Sequence, residues 1–176
     1  MSRPSVREIF FVLATVFAFA GPALSAERLS RLEGETLAGA KIVLPDAASS
    51  EPTLIIATFD KQASGAARDW LARLQVSSGL AALRIHTVAF LDSMPGFALR
   101  MAMSGMRRGV PKALHPTFVV VAEDPAPWKR AFAFARAEDA YLLLVGPDGT
   151  VHWQTAGTVS AAAISALQEK LASLAP

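Results

Sequence analysis

The chain has no cysteine. That absence removes thiolate nucleophiles, disulfide bridges and a lipid-modified cysteine behind a leader, since each needs a sulfur that no other side chain supplies. The three histidines, His86, His115 and His152, lie far apart with no zinc-like spacing. Adjacent acidic residues occur only at Glu123-Asp124 and Glu138-Asp139, both in loop-like stretches, so no paired-carboxylate site is spelled out. Phosphate-cradling loops and a serine elbow are missing too. Repeats and low-complexity tracts are absent, and no linker is long enough to divide two domains.

The N-terminus follows a different rule from the rest. Arg3 and Arg7 form a basic region, Ile9 to Ala20 is apolar all round, Gly21-Pro22 ends the run, and Ala23-Leu24-Ser25-Ala26 offers small residues for cleavage. This is the pattern of a secretory signal peptide over residues 1–26, cleaved near Ser25 or Ala26. The run has 12 residues, short of the roughly 20 that a membrane-spanning helix needs. Export to a periplasm is therefore expected. Residues 27–176 are about the length of one domain, able to bury a core without staples. The 17 basic and 15 acidic residues of the whole chain become 15 and 14 once Arg3, Arg7 and Glu8 are removed. A near-neutral chain with no basic stripe does not predict nucleic-acid binding.

What remains alternates between strand and helix. Lys41 to Pro45 is a short strand ended by proline, and Thr53 to Phe59 is a continuous apolar run suited to a strand buried on both faces. Asp60 to Ala63 connects it to a helix, capped by Ser64, that carries Ala67, Trp70, Leu71 and Leu74 on one side. Gly79 closes the helical region, and Leu83 to Leu91 is a second β-rich run. Phe97 to Arg108 reads as a helix, Thr117 to Val121 as a strand, and Ala126 to Ala135 as a short helix. Tyr141 to Val145, the turn Pro147-Asp148-Gly149 and Thr150 to Gln154 predict a hairpin. A last helix from about Ser160 lines up Ile164, Leu167, Leu171 and Leu174. Glu33 to Gly39 and Ala47 to Pro52 read as loops at the edge.

A βαβ unit followed by a ββα unit resembles the thioredoxin-like plan, an α/β fold with a central mixed sheet flanked by helices. The additional strand and helix between the units stand where peroxiredoxin-like relatives carry an insertion. The resemblance implies a CxxC motif just after the first core strand and a cis-proline before the hairpin; here those positions read Phe59-Asp60-Lys61-Gln62-Ala63-Ser64-Gly65 and Glu138-Asp139-Ala140. Both marks are missing. Phe59 followed by a polar residue, a basic residue and an Ala, then Trp70, is similar to the assembly-factor family for the mitochondrial ATP synthase Fo sector. So are Tyr141 to Val145 with Gly149, Val151, His152, Trp153 and Gly157, and the segment Met106 to Pro111 followed by His115. His152 stands where that family more often has Arg, and a secretory leader departs from a mitochondrial setting. The resemblance implies a non-enzymatic chaperone acting on a membrane complex.

The expected function is therefore binding without redox chemistry or cofactor, with a protein partner at or in the membrane and a possible peripheral membrane contact. The candidate contact residues are Asp60, Lys61, Gln62, Arg107, Arg108, His152 and Trp153. Strand ends of open α/β sheets favour ligand sites, and aromatics at a sheet edge favour interfaces. Arg107, Arg108 and Lys112 are able to meet anionic headgroups, though they also suit a helix C-terminus. Ser64 lacks the positioned base a nucleophile needs. Two alternatives stand beside this reading: a cysteine-free peroxiredoxin-like enzyme acting through Asp60, Lys61 or Ser64, and a Cu(I) carrier using Met94, Met101, Met103 and Met106 near His86 and His115.

Overall fold

Every position from Thr53 to Thr58 is buried, so this segment has no solvent side to offer and must sit inside a sheet. The computed structural model describes residues 28–80, 83–92 and 94–174; the expected leader lies outside the described residues. The strands are β1 (Leu32–Thr36), β2 (Lys41–Leu44), β3 (Thr53–Thr58), β4 (Arg84–Phe90), β5 (Phe118–Val121), β6 (Ala140–Val145) and β7 (Val151–Gly157). The helices are α1 (Ser64–Val76), α2 (Gly96–Gly109), α3 (Ala126–Ala131) and α4 (Ala161–Leu174). All seven strands form one mixed sheet in the order β2-β1-β5-β4-β3-β6-β7. The expected α/β, thioredoxin-like arrangement is present: β3-α1-β4 is parallel, β6-β7 is an antiparallel hairpin, and β5 and α3 lie between them in the chain.

Alternation along the strands divides the core. Leu54, Ile56, Leu142 and Leu144 point to the face covered by α1, through Ala67, Trp70 and Leu74, and by α4, through Ile164 and Leu167. Register carries that face across the sheet, from Ile56 beside Thr87 to Ala89 beside Val120, where Met103 of α2 packs. Ile55, Ala57, Val88, Val119 and Leu143 point the other way, against Trp128 and Phe132 around α3. Each of these large buried side chains contributes about 1.5–3 kcal/mol by leaving water.

Three expectations need correcting. Glu33 to Gly39 is a loop only at its end: Leu32–Thr36 pairs with both β2 and β5, and Leu37 to Gly39 is the turn between β1 and β2. A Cβ on Gly34 would lie 2.6 Å from the Val119 side chain, so a close strand approach explains the glycine that makes this segment look irregular. Ser64 is the first residue of α1 rather than its cap, because a 3₁₀ turn over Lys61–Ala63 precedes the helix and is capped by Asp60. The third helix stops at Ala131, four residues early, since Ala133 turns the chain with φ +49°. Ser160 does cap α4, its hydroxyl accepting the Ala163 N–H at 3.1 Å.

Candidate functional site

Register sets which residues meet. β3 and β4 run parallel, Ala57 of β3 faces Tyr141 of β6, and Ala140 faces Gly157 of β7. The C-terminal ends of β3 and β4, the start of β6 and the end of β7 thus share one edge of the sheet, beside the N-terminus of α1. In an open α/β sheet this is the edge that accepts ligands.

Asp60 leaves β3 in an extended conformation, and its carboxylate accepts the Gln62 N–H at 2.8 Å. Asp60, Lys61, Gln62 and Ser64 are all exposed. The stretch that would carry CxxC is therefore a self-capped turn. Across from it, the loop entering β6 is fixed by one buried hydroxyl: Tyr141 accepts the N–H groups of Ala135 and Arg136 at 2.9 and 2.8 Å and donates to the Arg136 carbonyl at 2.9 Å. Those three bonds exhaust a phenol's capacity and hold the loop in place of a proline. Arg136 then donates from Nε to Glu138 at 3.0 Å and lies 3.9 Å from Asp139. Hydrogen bonding, more than charge, holds the Arg136 guanidinium above its ordinary range and the Glu138 carboxyl below its own.

The third wall is the end of β7. Gly157 has φ +97°, and its carbonyl accepts the indole N–H of Trp70 at 2.9 Å, tying α1 to the strand end. Between the start of α1, the loop entering β6 and the end of β7 runs a groove of about 630 Å³, lined by Gly65, Ala66 and Asp69 of α1, by Arg136, Glu138 and Asp139, and by Ala156 to Thr158, with the Asp60 turn outside the lining. Three carboxylates against one guanidinium, already paired, leave it net acidic. On the opposite face beneath this edge, Phe59 stacks on Phe90 at 4.6 Å and meets Phe132, Phe134 and Tyr141 edge-on at 5.4–5.7 Å. This rigid aromatic floor fixes where β3 ends.

The remaining candidate residues lie elsewhere. His152 and Trp153 pair near Val145 and Leu144, at the far end of β7 from Gly157. Trp153 is partly buried against the core that Leu144 belongs to. Arg107 is held by the Leu37 carbonyl, accepting from Nε at 2.7 Å, and by Glu35 at 3.7 Å; Arg108 beside it is exposed. The seven residues thus occupy three separate places. Met103 and Met106 turn toward the sheet while Met101 faces outward, and the His86 ring Nδ1 is buried without a partner among the described residues. Burial first, and Arg84 second, hold the His86 pKa below 6.5, against opposing effects of Thr117 and Asp46. Nothing in the sequence alone groups Asp69, Arg136 and Gly157; the acidic pair Glu138-Asp139 is the part of this set that stands out there.

No protein-family model matches the chain, and no curated protein resembles it in sequence. Solved structures do resemble it in shape. The exposed lipoprotein thioredoxin Etrx1 of Streptococcus pneumoniae superposes with a TM-score of 0.54 at 11% identity, over 80% of this chain and 99% of its own. The fold is thioredoxin-like. BsSco, a member of the Sco family of cytochrome c oxidase assembly proteins, has a TM-score of 0.53 at 13% identity, over 84% of this chain and 95% of that one. A thiol peroxidase from Chromobacterium violaceum has a TM-score of 0.50 at 12% identity, over 85% and 88%. At such identities the likeness carries the thioredoxin-like fold alone; this chain has no cysteine with which to share a thiol chemistry.

Proposed function

We propose that this thioredoxin-like chain works by binding a protein segment, without redox turnover, in the groove between the start of α1, the loop before β6 and the end of β7. One observation carries the reading: the edge where the fold would place a thiolate opens instead into a groove of about 630 Å³ in which Arg136 is held by Glu138 and Asp139 and Asp69 adds a further exposed carboxylate. A nucleophile or general base needs a poised group; Asp60 is committed to a turn and Arg136 to two carboxylates, and Asp69 is a solvent-exposed carboxylate on α1. An extended segment entering the groove meets the exposed rim of β7, a sheet edge, and an acidic lining suited to Lys or Arg side chains.

The partner class that best suits an exported chain of this pattern is a protein at or in the membrane, and the role is assembly factor or chaperone. Support comes from the leader pattern and the similarity to the Fo-sector assembly family. BsSco, itself one of a family of cytochrome c oxidase assembly proteins, is built on the same fold and is a precedent for such a role. The test is crosslinked affinity capture of the full chain from its own membranes, beside Gly65→Arg. A Cβ at Gly65 meets nothing within 4 Å, so the arginine fills the groove mouth without distorting α1. One enriched protein, lost with Gly65→Arg, is expected. Turnover of a small substrate by the pure protein, with no captured partner, would contradict the reading and favour the enzyme alternative.

A further inference from the structure

α2 is amphipathic twice over. At about 100° per residue, Leu99, Met103 and Met106 share one side, where they pack on the sheet. Phe97, Met101, Ser104 and Arg108 fall within about 60° of one another on the other side. Phe97 is 63% exposed and Met101 72%, one turn apart. The fold already has its inner stripe, so these two apolar side chains serve no core.

Charge on this helix has one sign. From Gly96 to Ala122 there are Arg100, Arg107, Arg108 and Lys112 and no acidic residue. Arg107 is spent on Leu37 and Glu35; Arg100, Arg108 and Lys112 are exposed. The chain as a whole carries only +2, so this concentration is local. A convex stripe on a helix about 21 Å long and about 10 Å wide is far smaller than the roughly 800 Å² per partner of a stable protein interface. It does suit the boundary of an anionic bilayer, which takes an apolar wedge flanked by basic groups and needs no matching groove.

We propose that the outer face of α2 docks on anionic phospholipid, with Phe97 and Met101 entering the headgroup boundary and Arg100, Arg108 and Lys112 meeting lipid phosphates. This surface is separate from the groove and stands independently of it.

Because the apolar run Ile9 to Ala20 is itself able to bring the full chain to any vesicle, a local probe is needed. The absence of cysteine allows a single one: Ser104→Cys on the outer face, labelled with an environment-sensitive dye, with Gln75→Cys on α1 as reference. Vesicles of phosphatidylcholine with about 30% phosphatidylglycerol should shift the dye at 104 to the blue and raise its emission at least about twofold, with little change at 75, since interfacial insertion is local. Replacing Arg100, Arg108 and Lys112 together by Gln, or adding about 0.5 M salt, should weaken that response about tenfold in lipid concentration. Phe97→Ser with Met101→Ser should abolish it while thermal unfolding stays as before. An equal response in pure phosphatidylcholine, an equal response to polyglutamate without lipid, or none at 104 would each overturn the proposal.

Discussion

α1 and α2 lie on the same face of one sheet, yet they are built to opposite purposes. α1 buries Trp70 and Leu74 completely and shows solvent a mixed row of Arg68, Asp69, Arg73 and Gln75, with Val76 the one large apolar residue left exposed at its end. α2 buries one residue fully, Met103, and shows solvent two large apolar residues among cations of a single sign. A helix that gives its hydrophobic surface to the core is a structural element. One that keeps some back, in a chain with apolar surface to spare, is available for another contact.

Trp70→Ala should cost about 3–5 kcal/mol, because it empties a core site and orphans the Gly157 carbonyl, whereas Met103→Ala should cost nearer 2–3 kcal/mol. Chemical denaturation of both variants checks the order; a costlier Met103→Ala would reverse the assignment of roles. Arg107→Gln should lose about 1 kcal/mol, since a half-exposed charge donates to a carbonyl that then has only water. Arg108→Gln, one residue on, should change stability by no more than about 0.5 kcal/mol. Gly105→Ala in the middle of α2 should raise stability by about 0.5–1 kcal/mol, because a Cβ there meets open space.

The smallest effect belongs to β4, the strand joining the two helices. Burial, and Arg84 after it, hold the His86 pKa below its ordinary 6.5 in the folded chain. The folded state then binds fewer protons than the unfolded one around that pH, so this contribution is present above pH 6.5 and is lost as pH falls through it. Melting temperatures between pH 5 and 7.5 should show that slope in the native chain and a flatter one in His86→Asn.

Continuous apolar runs make β3 and β6 legible, and three-four spacing does the same for α1 and α4, because burial on both sides of a strand or one side of a helix leaves a local trace. β1 leaves none. Its Leu32-Glu33-Gly34-Glu35-Thr36 reads as polar and broken, and only its neighbour β5, more than 80 residues away, explains the glycine. The site divides in the same way. Asp60 to Gln62 are placed by one segment, at the strand end where they do lie. The groove beside them joins Asp69, Arg136 and Gly157, which only the folded register brings together. His152 and Trp153 lie away from Asp60 because β6 and β7 run from the edge where β3 ends to a turn at the opposite edge, a separation that only the folded register sets.

The most direct test places a photocrosslinking residue, one at a time, at Ala156, Thr158 and Gln75 in the full chain in its native membranes; Ala156 and Thr158 are exposed groove-lining positions. Binding through the groove predicts discrete protein adducts from 156 and 158 and none from 75. Protein adducts as frequent from 75 as from 156, or none from either groove position, would contradict it.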